Sequence, residues 1–259
     1  MSGDPGNISR DAEFRDALER GVLIADGAMG TMLYDKGIFI NRSYDELNVA
    51  APSTVREVHE AYVKAGAQIL ESNTFGANRM RLAGYGLAER LGEINLAGVR
   101  LAREAAKDTA FVAGAIGPLG AHIEPLGHIS FAEARAVFRE QAAALVAAGV
   151  DLLILETFTD LNELREAIYG ARDAAGDDLV VVAQLTIDDY GNLRDGTTTE
   201  TFMRSLDACP ADVIGINCSV GPKVTLETAE KMMGFTRKPI SAMPNAGYPT
   251  TVEGRKMYL

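Results

Sequence analysis

An α/β fold built on a parallel sheet is what this 259-residue chain predicts, on three observations. Short apolar runs alternate with amphipathic helical stretches, strand then helix, seven times. No neighbouring runs are joined by a hairpin signal, so each connection reads as a crossover. Each run passes into a short polar or glycine-rich stretch, where α/β folds place their sites. Seven units of roughly 30 residues point to a (β/α)8 TIM-type barrel, truncated after about seven β/α units.

Residues 1–12 are polar and read as a flexible tail; the barrel domain is assigned to 13–259 and is incomplete at its carboxyl end. Helical character begins at residue 8, runs to 20 and closes one end of the fold, with Gly21 stopping it. Residues 22–25 form the first strand. Pro52 and Ser53 open a helix over 52–65, where Val55, Val58, Ala61 and Tyr62 recur at helical spacing. The second strand is 68–72, and helical sequence covers 86–107. The third strand is 111–116. Ser130, with Glu133 three residues on, is a capping box for a helix reaching 148. The fourth strand is 150–155, and Asp160 caps a helix over 161–175. The fifth strand is 179–185, followed by a polar loop and a helix over 199–208. Val213, Ile214 and Ile216 make the β-branched run of a buried sixth strand that ends on Asn217-Cys218. Gly221-Pro222 breaks the chain before a helix over 224–233. The seventh strand is 239–243. The chain stops at Leu259 within the next connection, so an eighth strand is expected to be missing. Open edges on the first and seventh strands then predict marginal solubility, or pairing through those edges.

Apolar residues make up 47% of the chain, enough for a sizeable core, yet no apolar run approaches the ~20 residues of a membrane span. No membrane association is expected. The polar start lacks the apolar stretch of a secretory signal, which predicts a cytoplasmic protein. Two cysteines, Cys209 and Cys218, make no disulfide framework. A net charge of -11 argues against a nucleic-acid partner, whose phosphates need a basic face, and suits a small substrate.

In a barrel the strand ends converge on one mouth. Here they are Asp26-Gly27, Asn73-Thr74-Phe75, Gly117-Pro118, Glu156-Thr157-Phe158, Asn217-Cys218 and Asn245-Ala246-Gly247. Two carboxylates, Asp26 and Glu156, would share that mouth with the Cys218 thiol. Paired carboxylates serve glycosidases, but no tryptophan and 7% aromatics make a poor sugar-stacking surface. The pair equally suits a bound ammonium group. The loop Asp26-Gly27-Ala28-Met29-Gly30-Thr31 offers a carboxylate and backbone N–H groups to a small polar ligand, or is a tight turn. No Gly-Lys-Ser/Thr follows, so it is no P-loop. Cys218 suits metal-thiolate chemistry or a covalent nucleophile, or packs as a small hydrophobe. No histidine ends a strand beside it, which weighs against the nucleophile. His59 and Cys209 read as structural. His122, Glu124 and His128 share a loop whose spacing fits no zinc pattern and which reads as a cover over the substrate. No side chain is assigned as a catalytic acid or base.

Six ordered motifs are then familiar together. They are Asp26-Gly27-Ala28-Met29-Gly30-Thr31, Glu71-Ser72-Asn73-Thr74-Phe75-Gly76-Ala77-Asn78, Gly117-Pro118-Leu119-Gly120, Glu156-Thr157-Phe158-Thr159-Asp160, Gly215-Ile216-Asn217-Cys218-Ser219-Val220-Gly221-Pro222 and Pro244-Asn245-Ala246-Gly247. Over about residues 15–259 the chain resembles the homocysteine S-methyltransferase family. Gly221-Pro222 and the Pro-Asn-Ala-Gly turn are more similar to the folate-linked members than to the betaine-using ones. Those members are cobalamin-dependent methionine synthases, with their homocysteine-binding domain, and bifunctional proteins that join it to a methylenetetrahydrofolate reductase. The ending, 251–259, looks closest to the bifunctional type.

The resemblance implies a (β/α)8 barrel with a catalytic Zn²⁺ held by three thiolates. Cys218 matches the first; the other two belong to a Gly-Gly-Cys-Cys segment that this sequence lacks. It implies that Asp26 and Glu156 hold the ammonium group of L-homocysteine with the backbone at Gly27 nearby as part of the substrate site, that Asn217 lies close to substrate and metal, and that Asn245 is a second, weaker metal candidate. The implied reaction is methyl transfer to the L-homocysteine thiolate, giving L-methionine, with methylcobalamin or 5-methyltetrahydrofolate as donor. A C-terminal reductase or cobalamin module would be the partner in a parent chain. The competing expectation is a non-catalytic or incomplete barrel that lacks two zinc ligands and acts only within a longer protein. An aldolase-like barrel is a third, but no strand end carries the Schiff-base lysine it needs.

Overall fold

The computed structural model describes residues 10–38, 42–246, 249–252 and 255–258, the last two stretches as backbone. Six strands form one parallel sheet in chain order: β1 (Ile69–Glu71), β2 (Phe111–Ile116), β3 (Leu152–Phe158), β4 (Val180–Leu185), β5 (Val213–Asn217) and β6 (Ile240–Met243). Each strand pairs with the next in sequence, so the sheet advances one crossover at a time. The helices that make those crossovers are α5 (Arg79–Ala83) and α6 (Leu91–Ala106), then α7 (Phe131–Ala147), α8 (Leu161–Ala175), α9 (Thr199–Asp207) and α10 (Pro222–Met232). Four helices precede β1: α1 (Arg10–Arg20), α2 (Met29–Asp35), α3 (Leu47–Ala50) and α4 (Pro52–Ala65).

Local chemistry sets several boundaries. The Ser130 hydroxyl accepts the Glu133 N–H at 3.2 Å, and the Glu133 carboxylate accepts the Ser130 N–H at 2.9 Å, closing the expected capping box of α7. Asp160 accepts the N–H groups of Asn162 and Glu163 at the start of α8, at 2.7 and 3.2 Å. Gly66, with φ of 100°, ends α4 in the left-handed conformation that glycine adopts without strain.

Strand side chains alternate between two apolar layers. Leu153 and Leu155 of β3, with Val181 and Ala183 of β4, pack outward against Phe138, Leu164 and Phe202 of the helices. Leu152 and Ile154, Val180 and Val182, and Ile69 and Val213 point the other way, into one cluster with Phe14 of α1. One phenylalanine gathers residues from five strands, so the sheet curls round it as a half-barrel and α1 plugs the amino-terminal end. Two aspartates, Asp151 buried and Asp212 half-buried, hold the plug. Asp151, before β3, accepts the Val112 N–H at 2.7 Å and meets Arg10 at 3.5 Å. Asp212, before β5, accepts the Val181 N–H at 2.9 Å and meets Arg15 at 2.9 Å.

The parallel α/β expectation holds, with corrections. Residues 22–25 form no strand: Ala25 makes a single parallel bridge to Ile69, supported by the Asp26 N–H donating to the Ile69 carbonyl at 2.9 Å. This segment is the sheet's edge and has one neighbour only; Val22 is 86% exposed, so its apolar side chain gains little from pairing. The connection after β6 contains a hairpin that the sequence reading missed. β7 (Pro249–Val252) and β8 (Arg255–Tyr258) pair antiparallel. Their link is Glu253-Gly254, and a glycine in a two-residue link is a hairpin signal. The helical stretch 86–107 is a 3-10 turn, Ala88–Arg90, followed by α6. The short helices α2, α3 and α5 were not anticipated, and α1 opens at Arg10, inside the stretch read as tail. Residues 1–9 and Gly247, part of the predicted mouth, lie outside the described residues.

Candidate active site at the carboxyl ends of the strands

The inner faces of the strands change character from bottom to top. Above the apolar layer around Phe14, the inward positions are Glu71 on β1, Glu156 on β3, Gln184 on β4 and, one step beyond Gly215, Asn217 on β5. Sequence alternation therefore stacks a polar layer on an apolar one at the open end of the curl.

Asn217 ties β5 to β3. Its Oδ1 accepts the Thr157 N–H at 2.8 Å, which fixes the amide orientation, and its Nδ2 donates to the Thr157 hydroxyl at 2.8 Å. The same Nδ2 lies 3.3 Å from Glu156 Oε2 and 3.5 Å from Cys218 Sγ. The Thr157 hydroxyl in turn reaches Cys218 Sγ at 3.7 Å. Thr157, Cys218 and Ser219 have φ of 62°, 59° and 62°. Left-handed backbone costs a β-branched residue on the order of 1–3 kcal/mol, and such strain collects at functional sites. Here it turns the ends of β3 and β5 toward each other. The Cys218 N–H donates to the Met243 carbonyl at 3.0 Å, and the Asn245 N–H to the Val220 carbonyl at 3.0 Å, so the turn after β6 runs beside the thiol.

Asp26 enters from the edge loop, where its Oδ2 accepts the Glu71 N–H at 3.1 Å. Tyr62 of α4 steadies that loop by donating to the Ala28 carbonyl at 3.1 Å. A Cβ on Gly27 would stand 3.0 Å from the Tyr62 oxygen, so a larger residue there would have to push the Tyr62 ring aside. Burial raises the pKa of Asp26 well above the carboxylate range; the Glu71 N–H opposes this and the Glu156 charge adds to it. Glu71 is raised by burial, then by the charges of Glu156, Asp26 and Cys218. Burial takes Glu156 to about 7. Burial also raises the Cys218 thiol, against the Thr157 hydrogen bond.

The expected site residues Asp26, Gly27, Glu156, Asn217, Cys218 and Asn245 thus come from four segments that meet at one mouth. Glu71, Thr157, Tyr62 and Gln184 were not singled out. Glu71 and Gln184 were legible as polar residues closing apolar strands, and Tyr62 only as part of a helix face. The residues read as structural lie elsewhere. Cys209 is buried, its Sγ donating to the Ser205 carbonyl at 3.3 Å. His59 is buried, and burial lowers its pKa to about 4. In the loop read as a cover over the substrate, by contrast, His122 and His128 are exposed, and Glu124 accepts the Phe131 N–H at 2.9 Å.

Zinc is the cofactor to test against this arrangement. Among the described residues no three His, Cys, Asp or Glu side chains group to hold a metal. Cys218 is the one cysteine at the mouth, so a three-thiolate shell is not assembled by these residues.

With the geometry in place, comparison with known proteins is informative. The sequence profile described as homocysteine S-methyltransferase matches residues 23–258. The chain belongs to the homocysteine S-methyltransferase family. Within it, methionine synthase of Mycobacterium tuberculosis is 32% identical over 92% of this chain and 21% of that protein. Methionine synthase of Mycobacterium leprae is 30% identical over the same shares. This member of the family therefore spans about a fifth of the length of the curated relatives it matches. The metallated crystal form of the homocysteine methyltransferase MmuM from Escherichia coli superposes with a TM-score of 0.80 at 28% identity, covering 90% of this chain and 87% of that one. The apo form of MmuM gives 0.71. No helix among the described residues is long and apolar enough to cross a membrane.

Proposed function

We propose that this chain is the homocysteine-binding (β/α)8-type barrel of a methyltransferase that converts L-homocysteine to L-methionine. The observation that carries the reading is the joining of Glu156, Thr157, Asn217 and Cys218 across the ends of β3 and β5 in a family member, facing Asp26 across the mouth. Asp26 and Glu156 accept hydrogen bonds from the substrate ammonium, the backbone at Gly27 meets its carboxylate end, and Asn217 holds Glu156 and Thr157 in register. Ordering the amino-acid end in this way aims the sulfur at the methyl group and converts an encounter into a reactive geometry. In the transfer the sulfur lone pair forms the S–CH3 bond while the donor's bond to that methyl breaks and its electron pair leaves with the donor.

Cys218 is proposed as one metal ligand, with Asn245 beside it as a weaker candidate. A bound zinc would supply a substrate thiolate at neutral pH. Since the described residues do not complete its shell, the roles given above are those of the protein's own groups. The likeness to methionine synthases supports methylcobalamin or 5-methyltetrahydrofolate as donor, and a cobalamin or reductase module as partner. Two unpaired cysteines suit a cytoplasmic setting. A purely non-catalytic barrel is not favoured, because the chain matches the family over residues 23–258 and is similar to methionine synthases and MmuM.

The test is zinc stoichiometry of the purified 259-residue chain, with Cys218→Ser alongside, followed by methionine formation from L-homocysteine with each donor. Zinc that is lost in Cys218→Ser, with methionine formed, supports the reading. Zinc retained in Cys218→Ser removes Cys218 from the metal shell.

A further inference from the structure

The polar layer contains more hydrogen-bond acceptors than the residues to which the resemblance gives a role. Glu71 stands two residues above Ile69 on β1, and Ile69 packs inside the curl with Phe14. Period-two alternation turns Glu71 inward as well. Its backbone is tied to Asp26, and its carboxylate feels the charges of Glu156, Asp26 and Cys218, which places it at the same mouth. Oε1 of Glu71 and Oδ1 of Asp26 are enclosed and accept no hydrogen bond from a described residue.

An independent sign comes from β4. Gln184 is fully buried on the inner face. Its nitrogen is engaged by the Ser241 hydroxyl at 2.6 Å and Met243 Sδ at 3.1 Å, while its oxygen has no partner. The layer therefore presents carboxylate and amide oxygens together, all short of donors. Among the described residues no lysine, arginine or histidine pairs with Asp26, Glu71 or Glu156, and the aspartates of the plug that do find arginines lie at the opposite end. Enclosed acceptors without donors are costly, and enclosed carboxylates without a cation more so. The ligand that relieves both is a compact cation with several N–H donors, which describes a primary ammonium group.

We propose that Glu71 is the third carboxylate of an ammonium-recognition site, and that it sets this chain's preference for thiols bearing an α-amino group over thiols in general. The inference rests on the homocysteine reading and adds to it a residue outside the set given by resemblance. Glu71 acts by charge and hydrogen bonding on the substrate's amine.

The experiment is calorimetric titration of the full 259-residue chain with L-homocysteine and with 4-sulfanylbutanoate, which keeps thiol and carboxylate but lacks the amine. The wild-type chain is expected to prefer L-homocysteine. Glu71→Gln weakens L-homocysteine about tenfold or more, the loss of one charge-assisted hydrogen bond, and leaves 4-sulfanylbutanoate within about twofold. Glu71→Asp, which keeps the charge on a shorter arm, gives a smaller loss for L-homocysteine alone and carries the test if Glu71→Gln does not fold. Equal losses for both ligands, or no loss for either, overturn the role of Glu71 while the wild-type preference keeps the homocysteine reading intact. A wild-type chain that binds the two ligands equally overturns that reading, and this inference with it.

Discussion

Asn217 on β5 spends both ends of its amide on one residue of β3, accepting from the Thr157 N–H and donating to the Thr157 hydroxyl, each at 2.8 Å. The two residues are sixty positions apart, and the pair holds Thr157 in a left-handed backbone that a β-branched residue avoids. Replacement of Asn217 by alanine leaves a strained residue and an unpaired N–H. The expected cost is about 2–3 kcal/mol, read as a lower denaturation midpoint. Thr157→Gly in that background relaxes the strain and recovers part of the loss. A further loss on adding Thr157→Gly would refute this account of the strand ends.

Tyr62 and Gly27 make a second coupled pair. Tyr62→Phe removes the hydrogen bond to the Ala28 carbonyl, which is partly solvated, so stability falls by about 1 kcal/mol or less. The loop carrying Asp26 loosens, and affinity for L-homocysteine falls severalfold. Gly27→Ala pushes against the Tyr62 ring instead. Its affinity loss should shrink when Tyr62 is also made smaller, a non-additivity that a double-mutant cycle measures.

Phe14 supplies the packing of the plug at the opposite end. Phe14 is 1% exposed and fills the base of the curl. Phe14→Ala should cost about 3–5 kcal/mol by chemical denaturation. Because the substrate-facing layer lies above the plug, ligand affinity of the fraction that remains folded should change little.

Glu163 predicts a pH dependence away from the site. It is 6% exposed, accepts the Leu119 N–H at 2.7 Å, and burial raises its pKa to about 7. A carboxyl raised above its unfolded value binds its proton more tightly in the folded state. Stability from this group is therefore greatest at low pH and is lost as pH rises from about 4.5 through about 7. His59, lowered to about 4 by burial, has the opposite slope over a nearby window, gaining stability as pH rises toward 6.5. The wild-type profile mixes these two with the raised carboxyls of the mouth, so the clean reading is a difference. Relative to wild type, Glu163→Gln should gain on the order of 1–3 kcal/mol between pH 5 and pH 8. Parallel profiles for the two proteins would refute the shift.

The sheet edges predict association. Val22 is 86% and Ile24 57% exposed beside β1, and β6 ends the sheet on the other side. Light scattering should find concentration-dependent oligomers of the 259-residue chain. Lysine at position 24 should reduce them. A monodisperse monomer with a cooperative melt would count against edge pairing.

The amino-acid sequence by itself determined the parallel α/β architecture, five of the six strands to within two residues, and the capping of α7 and α8. Those features rest on local periodicity and on caps that lie within a few residues of what they cap. It also singled out Asp26, Glu156, Asn217 and Cys218 where apolar runs stop, although the run before Asp26 forms no strand. Tertiary structure alone decided three things. The segment 22–25 lost its strand because only Ala25 bridges to β1, while Val22 and Ile24 stay exposed and gain little from pairing. Glu71 and Gln184 show in the sequence only as polar residues in apolar runs; the curl of the sheet and the reach of α4 bring them and Tyr62 to the mouth. The left-handed turn at Thr157 exists only because Asn217, from a distant strand, supplies both hydrogen bonds that hold it.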